Sequence, residues 1–373
     1  MASVGTVVEY LNQFAPSFLA ADWDNVGLLL GDHAASVQRI MTCLTVTPEV
    51  AQEAVESKVQ LIVTHHPILF RPIQRLTTDT PEGRMLLSVI QAGVAVFSPH
   101  TAFDNTAGGI NDTLAKRLDL IDVVPLRRRE GIRTCKIVVF VPDADLARVS
   151  DAMFQAGAGR IGEYSQCSFR LAGTGTFFGS DAAHPTIGQK GRREEVSEWR
   201  LEVVCPESHL QSVIDAMRRA HSYEEPAYDV YPLQPHTFGE GRLGRLPAAV
   251  ALERLAQKAK DVLMTKQVQF VGDPSRSVER LALACGAGGE FLIDAIRAKA
   301  DVLLTGEARF HDYLSAQAHG LALVLPGHYA TERFGVEELA ERLHQQFPEL
   351  EVWSSNSETD PVHWVYNESI SHG

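Results

Sequence analysis

Short apolar runs that stop abruptly at polar residues recur along the chain. In LIVTHHPILF (61–70), Leu61, Ile62 and Val63 predict the buried end of a strand, which breaks into Thr64, His65, His66 and Pro67. The same design returns in VAVFSPHTAFDN (94–105), ADVLLTGEARFHD (300–312) and LALVLPGHYATER (321–333). Helical periodicity fills the intervals. Thr6-x-x-Glu9 fits a capping box ahead of a helix with Val7, Val8, Leu11 and Phe14 on one face. PEVAQEAVE predicts a helix opened by Pro48, and Pro81-Glu82-Gly83 leads another with Met85, Leu86, Val89 and Ile90 inward. With strands expected at 39–47, 60–64 and 94–98, the alternation predicts α/β organisation with mainly parallel strands.

One early stretch, ADWDNVGLLLG (21–31), breaks the pattern. Asp24 and Asn25 suit a turn; Trp23 is either its buried anchor or the wall of a substrate pocket.

Beyond the basic RRREG (127–131) the pattern changes. A strand at 134–141, a helix from Asp143 to about Ala156, a strand pair around Gly173, a strand at 197–205, a helix capped at Ser208 and a strand at 227–233 follow. That order, β-α-β-β-(β)-α-β, is close to a ferredoxin-like split βαβ unit over 130–235. After the Gly-rich TFGEGRLGRL (237–246) the first pattern resumes. A helix is expected at 248–260, strands near 266–270, 279–284, 301–305 and 321–326, a last helix at 335–346 and an edge hairpin over 351–368. The predicted fold is a two-lobed, mixed-sheet α/β domain of residues 1–129 plus 236–373, interrupted by an inserted α+β domain at 130–235.

The 34 Lys and Arg against 47 Asp and Glu leave a net charge of −13. This argues against nucleic-acid binding, which needs a basic surface, but not against a phosphorylated substrate beside a divalent cation. Five widely separated cysteines suggest neither a disulfide framework nor a CxxC site. No secretory signal and no membrane span are evident, so the expected location is the cytoplasm.

The chemistry concentrates at the strand ends. His65 and His66 can both face one centre only if the backbone turns there, as Pro67 encourages. His100 and Asp104 are four apart, as are His328 and Glu332, which helical geometry would bring to one face. Imidazoles and carboxylates without a nearby cysteine suit zinc, manganese or iron. So many ligands suit two cations sharing a bridging carboxylate and a hydroxide, an arrangement for metal-assisted hydrolysis. Glu307 is expected to orient a ligand histidine or relay a proton, and His311, a further polar residue at that strand end, is the other candidate catalytic proton carrier. His184, His209, His221, His236, His344 and His363 read as ordinary surface or hydrogen-bonded side chains. Gly286, Gly288 and Gly289 suit a tight packing turn or a phosphate cradle; Arg309 and Arg333 suit a phosphate clamp or ordinary salt bridges.

The ordered motifs Trp23-Asp24-Asn25-x-Gly27-Leu28, Thr64-His65-His66-Pro67, His100-Thr101-x-x-Asp104, Thr305-Gly306-Glu307 and Gly327-His328-x-x-x-Glu332-Arg333 span the chain. Together they resemble the NGG-interacting-factor-like dinuclear-metal-centre family, whose bacterial members are commonly named GTP cyclohydrolase I type 2 homologues. The resemblance implies metal ligation by His65, His66, Asp104, His328 and Glu332, with His100 as an additional ligand. It implies two divalent metal ions per subunit, a toroidal homohexamer with metal sites facing an internal cavity, and, in longer members, an inserted PII- or CutA-like domain. The expected activity is metal-dependent hydrolysis by metal-bound hydroxide, on GTP or on another nucleotide or phosphoester. A non-enzymatic metal-binding or regulatory protein is the alternative.

Overall fold

A computed structural model describes residues 2–130, 133–162, 164–234 and 237–365. The contacts divide the chain into two units, Met1–Arg129 with Phe238–Gly373, and Glu130–Thr237. In chain order the strands are β1 (Gly27–Leu30), β2 (Arg39–Cys43), β3 (Leu61–Thr64), β4 (Ala95–Ser98) and β5 (Ile121–Glu130). β6 (Thr134–Pro142), β7 (Phe169–Phe178), β8 (Arg193–Pro206) and β9 (Tyr228–Pro232) follow. The last are β10 (Thr237–Ala251), β11 (Gln269–Val271), β12 (Ser277–Ala284), β13 (Val302–Thr305), β14 (Ala322–Leu325) and β15 (Glu351–Ser354).

The first unit contains two mixed sheets, ordered β1-β4-β3-β2-β15 and β11-β14-β13-β12-β10-β5. The centre of each is parallel (β2, β3 and β4 in one, β12, β13 and β14 in the other), as the alternation of strands and helices requires. β15 joins β2 in parallel, whereas β1 and β11 are antiparallel edges. Because side chains alternate along a strand, each sheet has two buried faces. Ile40, Leu61, Val63 and Phe97 of one sheet, and Leu281, Leu283, Leu304 and Val324 of the other, share a cluster with Leu11, Leu114 and Leu339 from intervening helices. On the outer faces, Met41, Ile62 and Val96 pack against the helices Pro48–Glu56 and Pro81–Gln91, while Leu303 and Leu323 pack against residues of Leu292–Arg297 and Phe310–Ala318. The result is an α-β-α-β-α stack that brings the carboxyl ends of β3, β4 and β14 together.

Local chemistry explains the helix starts. Thr47 and Thr80 accept N–H groups of Val50 and Gly83 while Pro48 and Pro81 occupy the first turn, where a missing N–H costs nothing. The first helix, Val4–Phe14, is capped by Ser3 rather than by a box at Thr6, because Ser3 Oγ reaches the Thr6 N–H.

Several expectations are corrected. Trp23 is 59% exposed and is no buried anchor, and Ile90 also lies outward. GLLL (27–30), IDVVPLRRRE (121–130) and the Gly-rich segment from Thr237 are strands, and the helix after the last begins at Leu252 rather than 248. Gly173 lies within one continuous strand, β7, instead of dividing a pair. The last helix starts at His328 and runs to Gln346. In place of an edge hairpin, β15 is a single parallel strand followed by irregular chain to residue 365; residues 366–368 lie outside the described residues.

The second unit is an antiparallel sheet ordered β7-β8-β6-β9. Ile137, Val139, Leu201 and Val203 on one face bury Val149 and Met153 of the helix Leu146–Gln155 and Val213 and Met217 of the helix Leu210–Ala220.

Candidate metal centre

All six expected ligands lie in the first unit. At the end of β3 the backbone bends. The N–H groups of His65 and His66 donate to Cys43 and Leu44 carbonyls, and Ser98 Oγ donates to the His65 carbonyl at 2.7 Å. The two rings therefore leave the strand on one side, with centroids 5.2 Å apart. Strand alternation would have separated them.

His100 opens the helix His100–Asn105 after β4, so Asp104 falls one turn later on the same face. His100 has φ +26°, a strained value for a side-chain-bearing residue, of the kind that concentrates at functional sites. His328 and Glu332 occupy the first turns of His328–Gln346, entered through Gly327 at φ +109°.

The side chains converge. His65 Nε2 is 3.5 Å from Asp104 Oδ1 and 3.8 Å from Glu332 Oε1. Glu332 Oε2 is 3.1 Å from His66 Nε2 and 3.0 Å from His328 Nε2, and those two nitrogens are 3.4 Å apart. Two overlapping groups could hold a metal ion, His65–His66–His100 and His66–His328–Glu332. Asp104 belongs to neither, but its Oδ1 faces His65.

Three of the histidines are oriented from behind. Nδ1 of His66 meets Thr45 Oγ1 at 2.7 Å, Nδ1 of His100 meets Asp24 Oδ1 at 2.7 Å and Nδ1 of His328 meets Glu307 Oε1 at 3.0 Å. With Nδ1–H donating, Nε2 remains a lone-pair donor. Asp24 is wholly buried and also accepts the Thr101 N–H and hydroxyl. Burial opposes its charge, but His100 and Thr101 hold its carboxyl below the usual value.

The centre is poorly satisfied by protein alone. Both ring nitrogens of His65 and Asp104 Oδ1 are buried without a hydrogen-bond partner, and Glu332 Oε2 meets the two histidine nitrogens. Such atoms are costly unless something binds them. Burial holds His65 well below the ordinary histidine value, so its ring is neutral, with one nitrogen protonated and the other offering a lone pair. Burial and the Glu332 and Asp24 carboxylates push Asp104 well up. Burial opposes ionisation of Glu332, but His328 and His66 hold it low, and Glu332 in turn pushes His328 up to about 9. The raised His328 and Asp104 groups hold protons that a divalent cation would displace; it would then supply a partner for imidazole nitrogens and carboxylate oxygens alike, so the donor set fits a metal.

Glu307 touches His328 but is 60% exposed. His311 is also exposed, its ring against Phe310, and lines neither cavity beside the centre. The smaller cavity, about 220 Å³, includes His66, His100, Asp104, Trp23 and Phe291. The larger, about 580 Å³, includes His66, His328, Glu307 and Tyr329. Trp23 thus takes the pocket-wall alternative. A cysteine does lie nearby: Cys285 lines the smaller cavity, where burial and the Asp104 and Glu332 carboxylates push its thiol well up, so it is no ready thiolate. The glycines form a packing turn. A Cβ on Gly286 (φ +66°) would run into Glu332 Oε1, and one on Gly288 into Thr305 Oγ1. Arg333 pairs with Glu337 and Glu358, both at 3.5 Å, the salt-bridge alternative. His221 Nε2 lies 3.0 Å from the Phe140 carbonyl, an ordinary structural contact; His236 is outside the described residues.

Residues 2–361 match the Duf34/NIF3 (NGG1p interacting factor 3) family. The chain belongs to this family. A Duf34/NIF3 relative named GTP cyclohydrolase 1 type 2 homolog, from Halalkalibacterium halodurans, is 36% identical over 370 residues, covering 98% of this chain and 100% of that protein. A Bacillus subtilis protein of the same name is 37% identical, covering 95% of this chain and 96% of its own. The solved structure of a Bacillus cereus protein related to NIF3 superposes with a TM-score of 0.71 at 33% identity, covering 97% of this chain and 99% of that one. Among the described residues, no helix is long and apolar enough to cross a membrane.

Proposed function

We propose that the chain is a metal-dependent hydrolase with a dinuclear centre. The observation that carries this reading is the convergence of buried, unpartnered atoms of His65 and Asp104 with the Glu332 carboxylate and the Nε2 atoms of His66 and His328. His65, His100 and Asp104 would hold one cation and His66 and His328 the other, with Glu332, whose two oxygens face different histidines, serving both. Bound divalent ions supply Lewis-acid polarisation and lower the pKa of water.

The chain's own groups do the rest. Asp24, Thr45 and Glu307 keep three imidazoles aimed inward. Glu307, exposed at the larger cavity and bonded to His328, is positioned to move a proton between substrate and solvent. His311, outside both cavities, is given no part in the chemistry. Thr265, Gln267 and Gln269 line the larger cavity with hydroxyl and amide groups, and Tyr329 and Trp364 offer flat faces. That lining suits the edge and face of a planar heterocycle, which favours a nucleotide recognised through its base, GTP included. The relatives' printed name agrees with this choice.

The second reading is a metal-binding or regulatory protein without turnover. A metal shell with no open coordination position would support it. Segment 130–235 is proposed as an inserted ferredoxin-like domain, supported by its β-α-β-β-α-β order. The assembly proposed is the hexameric toroid implied by the resemblance, which sedimentation would measure.

The decisive experiment incubates metal-loaded and chelator-treated protein with GTP and with a panel of nucleotides and phosphoesters, following products by chromatography and mass spectrometry. Turnover that needs metal and is lost in His65→Ala supports the hydrolase. Equal turnover by chelated protein sinks it, and saturated metal sites with no turnover on any substrate favour the second reading.

A further inference from the structure

The second unit contains a cavity of its own. On the sheet face opposite the two helices, β7 and β8 floor a space of about 540 Å³, within the size range of small-molecule sites. Its walls are fastened. The His184 N–H donates to Glu224 Oε1 at 3.0 Å and Thr186 Oγ1 donates to the Ser222 carbonyl at 2.8 Å, so the loop at 183–187 is pinned to the segment at 222–224. The floor is open where it matters: a Cβ on Gly173 would meet nothing within 4 Å.

The lining has an apolar part and a charged part. Phe140, Leu171, Phe177 and Ile187 form the first. In the second, the Glu198 carboxylate lies across Gly175, where a Cβ would collide with its Oε2, and Tyr223 donates its hydroxyl to Oε1 at 2.9 Å. Glu224 and Glu225 add negative charge to the lining. Arg200, the arginine of the lining, is already paired with Glu202 at 2.8 Å. The uncommitted charge is therefore negative and sits beside a flat apolar surface.

We propose that this cavity binds a small amphipathic cation, a protonated amine on a flat apolar body, with the ammonium at Glu198 and the body against Phe140 and Phe177. The site uses no residue of the metal centre and stands independently of the hydrolase reading.

The test titrates the full-length protein with tryptamine, indole and indole-3-acetate by calorimetry. Tryptamine is expected to bind about tenfold or more tighter than indole-3-acetate. Glu198→Gln should weaken tryptamine about tenfold, the scale of a lost hydrogen bond to a charged group, and leave indole unchanged. Gly173→Leu, whose Cβ meets nothing within 4 Å and whose side chain would occupy the space, should abolish binding of both while metal uptake stays at the wild-type level. The proposal is overturned if indole-3-acetate binds as tightly as tryptamine or if tryptamine still binds Gly173→Leu. It is also overturned if sedimentation shows wild-type copies associated and Gly173→Leu copies dissociated, because a second copy would then be the occupant.

Discussion

Nδ1 of His100 lies 2.7 Å from Oδ1 of Asp24, a carboxylate 76 residues earlier whose side chain is wholly buried. The contact fixes which imidazole nitrogen faces the centre. Asp24→Asn is expected to lower metal affinity about 10- to 100-fold, the usual cost of losing a carboxylate behind a ligand histidine. A competition titration against a fluorescent chelator measures it, and unchanged affinity would remove Asp24 from the site.

Gly286 approaches the centre from the other lobe. Its φ of +66° and the contact of a would-be Cβ with Glu332 Oε1 make any side chain there unwelcome. Gly286→Ala should cost roughly 1–3 kcal/mol from the left-handed backbone alone and should displace Glu332. Chemical denaturation in chelator reads the first effect. Metal stoichiometry by mass spectrometry reads the second, expected to fall below the wild-type value.

Metal should stabilise the fold, because the orphaned atoms of His65 and Asp104 gain partners. At a free metal concentration of one hundred times Kd the gain is about 2.7 kcal/mol. Differential scanning fluorimetry with zinc or manganese against chelator checks this. His65→Ala should lose most of the increment, and a variant that kept it would place the cation elsewhere.

A pH effect arises away from the centre. Burial would raise the Glu53 carboxyl, but it accepts hydrogen bonds from Ser355 Oγ, the N–H groups of Asn356 and Ser357 and the Trp353 indole, which bring it down from 4.5 to about 2. A lowered carboxyl stabilises the fold fully above pH 4.5, and the contribution fades as pH falls towards 2. Glu53→Gln should therefore cost roughly 2 kcal/mol at neutral pH, allowing for solvent screening, and close to nothing near the acid end. Urea midpoints across that range test it; a cost that stays constant with pH would mean the carboxylate charge is irrelevant.

Local patterns carried much of this architecture. The parallel strands β3, β4, β13 and β14 are apolar runs stopped by polar residues, and His65, His66, His100, Asp104, His328 and Glu332 stand at or just beyond such stops. The i to i+4 pairs were readable because helix geometry is local. Strands β1, β5 and β10 were not: Gly, Arg and Pro weaken their β signal, and only pairing with distant partners makes them strands. From sequence alone Asp24 looks like a turn former, because its partner, His100, is remote along the chain. Cys285 looked unrelated to the ligands for the same reason. It reaches the centre only when β12 lines up beside β13, and Asn111 then links its N–H to the Asp104 carbonyl. His311 is close in sequence to Glu307 but lines neither cavity.

β5 and β10 are neighbours at the edge of the second sheet. The polypeptide departs from the first unit on one ribbon and comes back on the next. A short connector joining residues 129 and 238 would therefore link neighbouring strands and retain the rest of that sheet, so the excursion could be removed without redesigning the lobe that carries the candidate metal centre.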